Sequence, residues 1–332
     1  PDQHPVGLGS GRCRAGGGRV PRTDGVLVGE GGNTMTNAGT IDVVSSAFTD
    51  TDSLADAGTS SHGTAISTST SEADASGIQT GSGKNRIVNS GEITVDSWAG
   101  ADAYAYSDDD GWGGDAEISI TTATASAQAY GILTGDGNSV VINTGTIDVS
   151  AETEASAVND TEDYGRSAGT RQMSETAIGI RTGSGNDTIT NEGTIIATRT
   201  QNSVTSFGLA IQTGAGNDTV ILGEGSQTSG GIELGEGDDT LKFVGQSAVN
   251  SAIDPGTGSD SLVFEGTGNL DCTFAGFENA RKDGPGVFTL ESLPTMNRLE
   301  LNGGTLRIDS DYAMAEGSVF RTTVSGDGGF GQ

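Results

Sequence analysis

A nine-residue phrase that the chain repeats four times constrains its fold more than any other feature. The phrase reads apolar-x-Asn-x-Gly-x-Ile-x-apolar, and each copy follows a Gly-x-Gly turn. Because strand side chains point alternately to opposite faces, the apolar residues, the Asn and the Gly of each copy share one face. A recurring strand unit predicts a solenoid whose copies stack on one another. The copies begin at Met35, Ile87, Val141 and Ile189.

The spacing of the copies suggests how the solenoid is built. They lie 52, 54 and 48 residues apart, and later Gly-x-Gly turns follow at about 21–23 residues. The shorter spacing suits one coil of a β-helix, and the longer one suits two coils, or one coil with a long insert. Segments 44–76, 97–130 and 150–178 are predicted as acidic, Ser/Thr/Ala-rich inserts whose ends alternate like strands. The predicted fold class is therefore all-β: a right-handed parallel β-helix with such inserts.

Composition agrees with a narrow core and supports a division into three regions. Glycine accounts for 55 of 332 residues and aromatic residues for 5%, too few large side chains for a wide globular core. We predict a disordered or non-native segment at 1–23, β-helix repeats with inserts at 24–261, and a C-terminal stem at 262–332. Most phenylalanines lie after residue 240, which predicts that the C-terminal third is the most stable part.

Charge and rare residues exclude several functions. A net charge of −29 disfavours nucleic acid, whose binding needs Lys and Arg. The sequence contains no run of 18 apolar residues, so no transmembrane helix is predicted. Residues 1–23 lack the apolar core of a signal peptide, so any export signal is expected outside this sequence. Cys13 and Cys272 form no disulfide framework. With only His4 and His62, no convincing catalytic constellation is present, and we predict that the chain is not an enzyme.

The asparagine of the repeat is predicted to be structural. Asn can adopt the left-handed backbone conformation at a bend, and its amide can stack on the Asn of the next coil. A bend role is far commoner for Asn in turns than a ligand role. The predicted structural ladder comprises Asn37, Asn89, Asn143 and Asn191.

Three aspartates suggest a calcium site. Asp218, Asp239 and Asp260 each follow a Gly-x-Gly turn in a pattern that resembles the nonapeptide of calcium-binding RTX rolls. Stacked coils can align their carboxylates in a column, and oxygen ligands suit Ca²⁺. RTX nonapeptides run in tandem, however, whereas these copies lie about 21 residues apart. Turn chemistry and weak calcium binding both stay open, and no other cofactor is predicted.

One segment combines aromatic and acidic residues. Around 98–118 lie Trp98, Tyr104, Tyr106 and Trp112, together with a run of three aspartates. Exposed rings beside carboxylates can stack sugars or dock a partner, so we predict a binding loop here. The alternative is a solvated acidic loop whose aromatic residues cover the flank of the rod.

Two patterns now resemble a known family. The phrase Ile-x-Asn-x-Gly-x-Ile resembles repeats of bacterial surface exoproteins of the autotransporter and filamentous-haemagglutinin type. Residues 262–332 resemble the C-terminal stem of an autotransporter passenger, with Phe-Ala-Gly-Phe-Glu at 274–278, Leu-Asn-Gly-Gly-Thr-Leu at 301–306 and Gly-Asp-Gly-Gly-Phe-Gly at 326–331. The resemblance implies a right-handed β-helix ending in an autochaperone-like region. It also implies an outer-membrane β-barrel translocator in the same precursor, outside this sequence.

The resemblance and the repeat together give a functional hypothesis. We expect a passenger at the surface of a Gram-negative bacterium, or released from it, that acts as a structural and adhesive rod through surface glycans or self-association. One alternative is a carbohydrate-active β-helix enzyme, a lyase or hydrolase of polysaccharides. Another is a calcium-stabilised spacer. A groove with convergent carboxylates and an Arg would favour the enzyme, and a flat flank would favour adhesion.

Overall fold

The chain folds into β-strands throughout the part that the structure describes. The computed structural model describes residues 12–15, 18–19, 22–57, 64–109, 118–161 and 166–322. Within these ranges there is no helix, and hence none long and apolar enough to cross a membrane. The strands are β1 (Arg12–Ala15), β2 (Gly18–Arg19), β3 (Thr23–Val28), β4 (Thr34–Asn37), β5 (Thr40–Ala57), β6 (Thr64–Thr80), β7 (Arg86–Asn89), β8 (Glu92–Asp109), β9 (Ile118–Leu133), β10 (Val140–Asn143), β11 (Thr146–Thr161), β12 (Arg166–Arg181), β13 (Thr188–Asn191), β14 (Thr194–Gln201), β15 (Val204–Phe207), β16 (Leu209–Ala215), β17 (Thr219–Leu222), β18 (Gln227–Ser229), β19 (Gly231–Glu236), β20 (Thr240–Val244), β21 (Ala248–Val249), β22 (Ile253–Asp254), β23 (Ser261–Glu265), β24 (Gly268–Leu270), β25 (Asn279–Asp283), β26 (Val287–Leu290), β27 (Arg298–Leu301), β28 (Thr305–Ile308) and β29 (Val319–Thr322).

The strands form long, mainly parallel sheets. Sheet A contains β1, β5, β8, β11, β14, β18 and β21, with β15 attached to β14. Sheet B contains β2, β6, β9, β12, β16, β19 and β22, with β3 attached to β6. Sheet C contains the ten strands β4, β7, β10, β13, β17, β20, β23, β25, β27 and β29, and sheet D contains β24, β26 and β28. This all-β arrangement is consistent with a parallel β-helix or solenoid.

Each copy of the repeat begins one coil. The chain passes from sheet C to sheet A to sheet B and then returns to sheet C beside its previous pass, as in β4–β5–β6 followed by β7–β8–β9. Equivalent residues of successive copies are register partners: Asn37 faces Asn89, and Asn143 faces both Asn89 and Asn191. The long spacing of the first copies therefore corresponds to one long coil and not to two short ones.

The predicted inserts are long strands of the coils themselves, so the strand-like alternation predicted for their ends extends through most of each segment. Segments 44–76, 97–130 and 150–178 lie mostly within β5, β6, β8, β9, β11 and β12, and β5 pairs with β8 along its whole length. In β5, β6, β8, β9 and the first half of β11 the inward-facing residues of these segments are mainly Ala, Ser and Thr and are buried, as Ala99, Ala101 and Ala103 are, whereas residues 166–172 of β12 are exposed. Small inward side chains allow sheets A and B to pack face to face, which widens the first three coils.

Both ends of the chain differ from the predicted division. Region 1–23, predicted as a disordered or non-native segment, includes β1, which pairs antiparallel with β5, and β2, which pairs parallel with β6. The predicted boundary at 262 falls inside β23, and sheet C continues across it to β29. The cross-section changes after β23, where sheet D replaces sheets A and B.

Aromatic side chains fill the core of the later coils. Phe264 is fully buried, with its ring centroid 5.8 Å from that of Phe243 and 5.1 Å from that of Phe288. Phe274 packs edge-on against Phe264 at 6.0 Å. Larger inward rings bury more apolar area per coil than the Ala and Ser of the first coils. The higher stability of this third stays a prediction.

Candidate functional site

The repeat asparagines form a hydrogen-bonded ladder inside the stack. Asn37 Nδ2 donates to Asn89 Oδ1, Asn89 Nδ2 to Asn143 Oδ1 and Asn143 Nδ2 to Asn191 Oδ1, each at 2.8 Å. The last three side chains are fully buried. Satisfied, buried amides of this kind hold neighbouring coils in register and leave no group for a ligand.

The backbone of these asparagines is extended, so the prediction of a left-handed conformation was wrong. Among the described non-glycine residues, positive φ occurs only at Asn202 and Ser203. An Asn at the end of a strand must keep the alternation that points its amide inward. The left-handed positions lie in the preceding turn, at the second glycine of each Gly-x-Gly, as at Gly83 with φ 133°.

The predicted aromatic residues lie on a strand face and not in a loop. Trp98, Tyr104 and Tyr106 belong to β8, and Trp112 lies outside the described residues. They occupy the even positions of a strand whose odd positions are buried, so they point to the outer surface of sheet A. The two-residue alternation of small and large residues continues through this segment and identifies it as a strand. The Trp, Tyr and Asp residues of the segment suggested a loop instead.

Two rings stack against each other on this outer surface. The rings of Phe48 and Trp98 stack with centroids 6.0 Å apart and planes 13° apart. Gly100 lies beneath them, because a Cβ built there would be 2.6 Å from the Trp98 ring and 2.8 Å from that of Phe48. Phe48 is 52% exposed. We call the surface formed by Phe48, Trp98, Gly100, Tyr104 and Tyr106 the aromatic face.

Carboxylates stack in rows across the same surface. Asp102 is the register partner of Asp50 on β5, and Asp96 lies close enough to Asp148 of β11 for their charges to interact. Burial, followed by the neighbouring carboxylates, raises the pKa of Asp96 and of Asp102 above its usual range. The aromatic face therefore combines flat rings with closely spaced hydrogen-bond acceptors.

A second set of aspartates forms a column at the turns before sheet C. Asp187, Asp218, Asp239 and Asp260 lie one per coil, and their side chains are almost fully buried. The backbone N–H of each of the first three donates to Oδ1 of the aspartate in the next coil, at 2.7–2.8 Å. Each Oδ2 atom is buried without a partner among the described residues. We call these four residues the aspartate column.

Burial raises the pKa of every carboxyl group in the aspartate column. It is the main cause that raises the pKa of Asp187 to about 6 and that of Asp239 to about 6, and charges of neighbouring aspartates add to it. Asp136 shows the contrast: it also accepts a backbone N–H bond, from Ser184 at 3.0 Å, but it is exposed, and that bond lowers its pKa.

The geometry of the column favours a role in accepting hydrogen bonds from backbone N–H groups over the predicted role in binding calcium. The structure aligns Asp218, Asp239 and Asp260, as the sequence suggests, but one oxygen of each already satisfies a buried backbone N–H. In the part of the chain that the structure describes, no three His, Cys, Asp or Glu side chains are placed to hold a metal ion.

Sequence reasoning missed a groove of about 470 Å³ on sheet B. Tyr130, Ile178 and Leu209 form its apolar row, as register partners across β9, β12 and β16. Arg181 and Gln212 begin a polar row beside it, which Glu233 of β19 continues. These residues are separated by about 20–50 positions in sequence, so only the register brings them together.

The groove lies where wide coils give way to narrow ones. The strand of sheet B shortens from 16 residues in β12 to 7 in β16, which leaves a step. The β14–β15 hairpin stands beside the step and contributes Arg199, and Glu175 of β12 completes the rim. We call this site the step groove.

Neither a family model, nor a curated protein, nor a solved structure matches the chain.

Proposed function

We propose that the chain is an adhesive rod, a right-handed parallel β-helix of the autotransporter-passenger type displayed on or released from the surface of a Gram-negative bacterium. In this proposal a β-barrel translocator of the same precursor exports it. Carbohydrate is the partner, and the aromatic face is the contact surface. The repeat, the stem-like motifs and the stacked parallel sheets support the rod.

The observation that supports the adhesive part is the stacking of Phe48 and Trp98 over Gly100 on the outer surface of sheet A. These rings lie on the outer surface of sheet A, so they do not fill the core. Exposed aromatic rings on an outer surface offer apolar area on which the pyranose face of a sugar can pack. Adjacent carboxylates such as Asp102 can accept hydrogen bonds from sugar hydroxyls.

Charge favours carbohydrate over self-association as the occupant of this face. The chain carries a net charge of −29, and rows of aspartate cross the aromatic face. Two copies that met through this face would bring like charges together, which costs free energy at low ionic strength. Uncharged glycans carry no such penalty.

Removing the two stacked rings tests this proposal. The double variant Phe48→Ala, Trp98→Ala is expected to weaken binding to a neutral glycan by roughly tenfold or more, because each ring contributes stacking area and little else holds the sugar. A neutral-glycan array identifies the best ligand of the unaltered chain, and calorimetric titration with that ligand measures the loss.

The matched control is Val204→Ser, which changes an exposed apolar residue on the β14–β15 hairpin away from the face. It is expected to bind like the unaltered chain, and both variants should keep its melting temperature. Equal affinity of the double variant and the unaltered chain would refute the aromatic face. So would a chain that binds no neutral glycan but self-associates through these rings in sedimentation experiments.

A further inference from the structure

The step groove contains two arginines that have no carboxylate partner in the part of the chain that the structure describes. Neither Arg181 nor Arg199 makes an ion pair with a described residue. On sheet C several cations are paired, as Lys242 is with Glu265 and Arg281 with Asp283. Two guanidinium groups that line one cavity without a carboxylate partner among the described residues mark a site for an anionic group.

Both arginines are held in place by groups other than carboxylates. The guanidinium of Arg181 lies 5.9 Å from the centroid of the Tyr130 ring, and the Tyr130 hydroxyl is fixed by a 3.0 Å bond to Gln128. Arg199 Nε donates to the carbonyl oxygen of Phe207 at 3.2 Å. A guanidinium positioned in advance loses less conformational entropy when it binds a carboxylate.

The two carboxylates of the groove are engaged by uncharged groups. Glu233 Oε2 accepts from Gln212 Nε2 at 2.9 Å, and Glu175 Oε2 accepts from Thr153 Oγ1 at 3.2 Å. Their other oxygens can accept hydrogen bonds from ligand hydroxyls. Beside them, Ile178 and Leu209 provide an apolar strip. The ligand must therefore combine an anionic group, several hydroxyls and one apolar face.

We propose that the step groove binds a carboxylated sugar, a uronate unit of an acidic polysaccharide. The sugar carboxylate meets the forks of Arg181 and Arg199, the hydroxyls meet Glu175 and Glu233, and the ring lies on the apolar row. A volume of about 470 Å³ is in the range of small-molecule sites. This site is separate from the aromatic face and independent of the function proposed for it.

Titration with uronate trisaccharides and their methyl esters tests the proposal. The ester keeps every hydroxyl and removes only the charge, so the acid is expected to bind and the ester to bind at least roughly tenfold more weakly. Galacturonate, glucuronate and mannuronate forms are used, so that stereochemistry alone does not decide the result. Arg181→Gln is expected to weaken binding of the acid by roughly tenfold or more, and Arg181→Gln with Arg199→Gln to abolish it.

Arg171→Gln is the matched control, since Arg171 is an exposed arginine of the same strand, β12, and does not line the groove. It should bind the acid as the unaltered chain does, and all variants should melt at the same temperature. The proposal is overturned if no uronate binds, if acid and ester bind equally, or if the double arginine variant keeps its affinity. None of these results depends on the rings of the aromatic face.

Discussion

Gly145→Ala is expected to lower the free energy of unfolding by about 3 kcal/mol or more, an effect large for a single added methyl group. The repeat glycines stack directly on one another, and a Cβ at Gly145 would overlap the carbonyl oxygen of Gly91 in the preceding coil. The obstacle is backbone and not a flexible side chain, so two coils must separate. Urea denaturation followed by circular dichroism measures the loss.

Gly39→Ala is the matched control for this variant. Gly39 occupies the same position of the first copy, but a Cβ there meets no atom within 4 Å, because no earlier strand of sheet C lies below it among the described residues. Its effect is expected to stay within about 0.5 kcal/mol. If Gly39→Ala and Gly145→Ala destabilise equally, helical or strand propensity explains the loss and the stacked-glycine account fails.

The chain is expected to be more stable at pH 4.5 than at pH 7.5. Asp187 and Asp239 have a folded-state pKa of about 6, whereas an unfolded aspartate titrates near 3.9. Between these values the folded state binds protons that the unfolded state does not, so stability falls as the pH rises from about 4 to 6. Each group contributes on the order of 1–3 kcal/mol at about 1.4 kcal/mol per pKa unit. Thermal melting across this range measures the change.

Asp239→Asn isolates the contribution of the aspartate column. The amide keeps an oxygen for the Asp218 N–H and removes the buried charge, so the variant should be more stable than the unaltered chain at pH 7.5 and less sensitive to pH. Asp238→Asn is the control, because Asp238 also accepts a backbone N–H bond, from Ser259 at 2.9 Å, but is exposed. A chain whose stability rises steadily from pH 4.5 to 7.5, with Asp239→Asn unchanged, would contradict the account.

The repeat predicts the stacking because its information is local and periodic. One nine-residue phrase fixes which face each residue occupies, so the alignment of Asn89 with Asn143 follows from the repeat alone. The alignment of Asp218 with Asp239 follows in the same way from the recurring Gly-x-Gly turn. The backbone angle of the Asn does not follow, because Asn is compatible with both bends and strand ends, and only the inward hydrogen bond decides between them.

The long strands and the step groove could not be predicted from the sequence, for a different reason. Alternating Ala, Ser and Thr carries little hydrophobic contrast, so the pairing of β5 with β8 becomes visible only when the two are aligned. The aromatic face depends on this pairing, since Phe48 and Trp98 come from different coils. The step groove depends on the register of β9, β12 and β16, which no local pattern encodes.

The central claim is that each copy of the repeat forms one coil whose residues align with those of the next, and nitroxide spin labels measure this alignment directly. Val44 and Asp96 are exposed register partners on β5 and β8, and Ser150 of β11 is the next partner beyond Asp96. In a chain whose two natural cysteines are replaced by serine, labels at Val44→Cys and Asp96→Cys should lie roughly 5 Å apart at the backbone. The account predicts strong dipolar broadening for this pair and weaker broadening for labels at Val44→Cys and Ser150→Cys. A doubly labelled spectrum of the first pair that equals the sum of the two singly labelled spectra would contradict it.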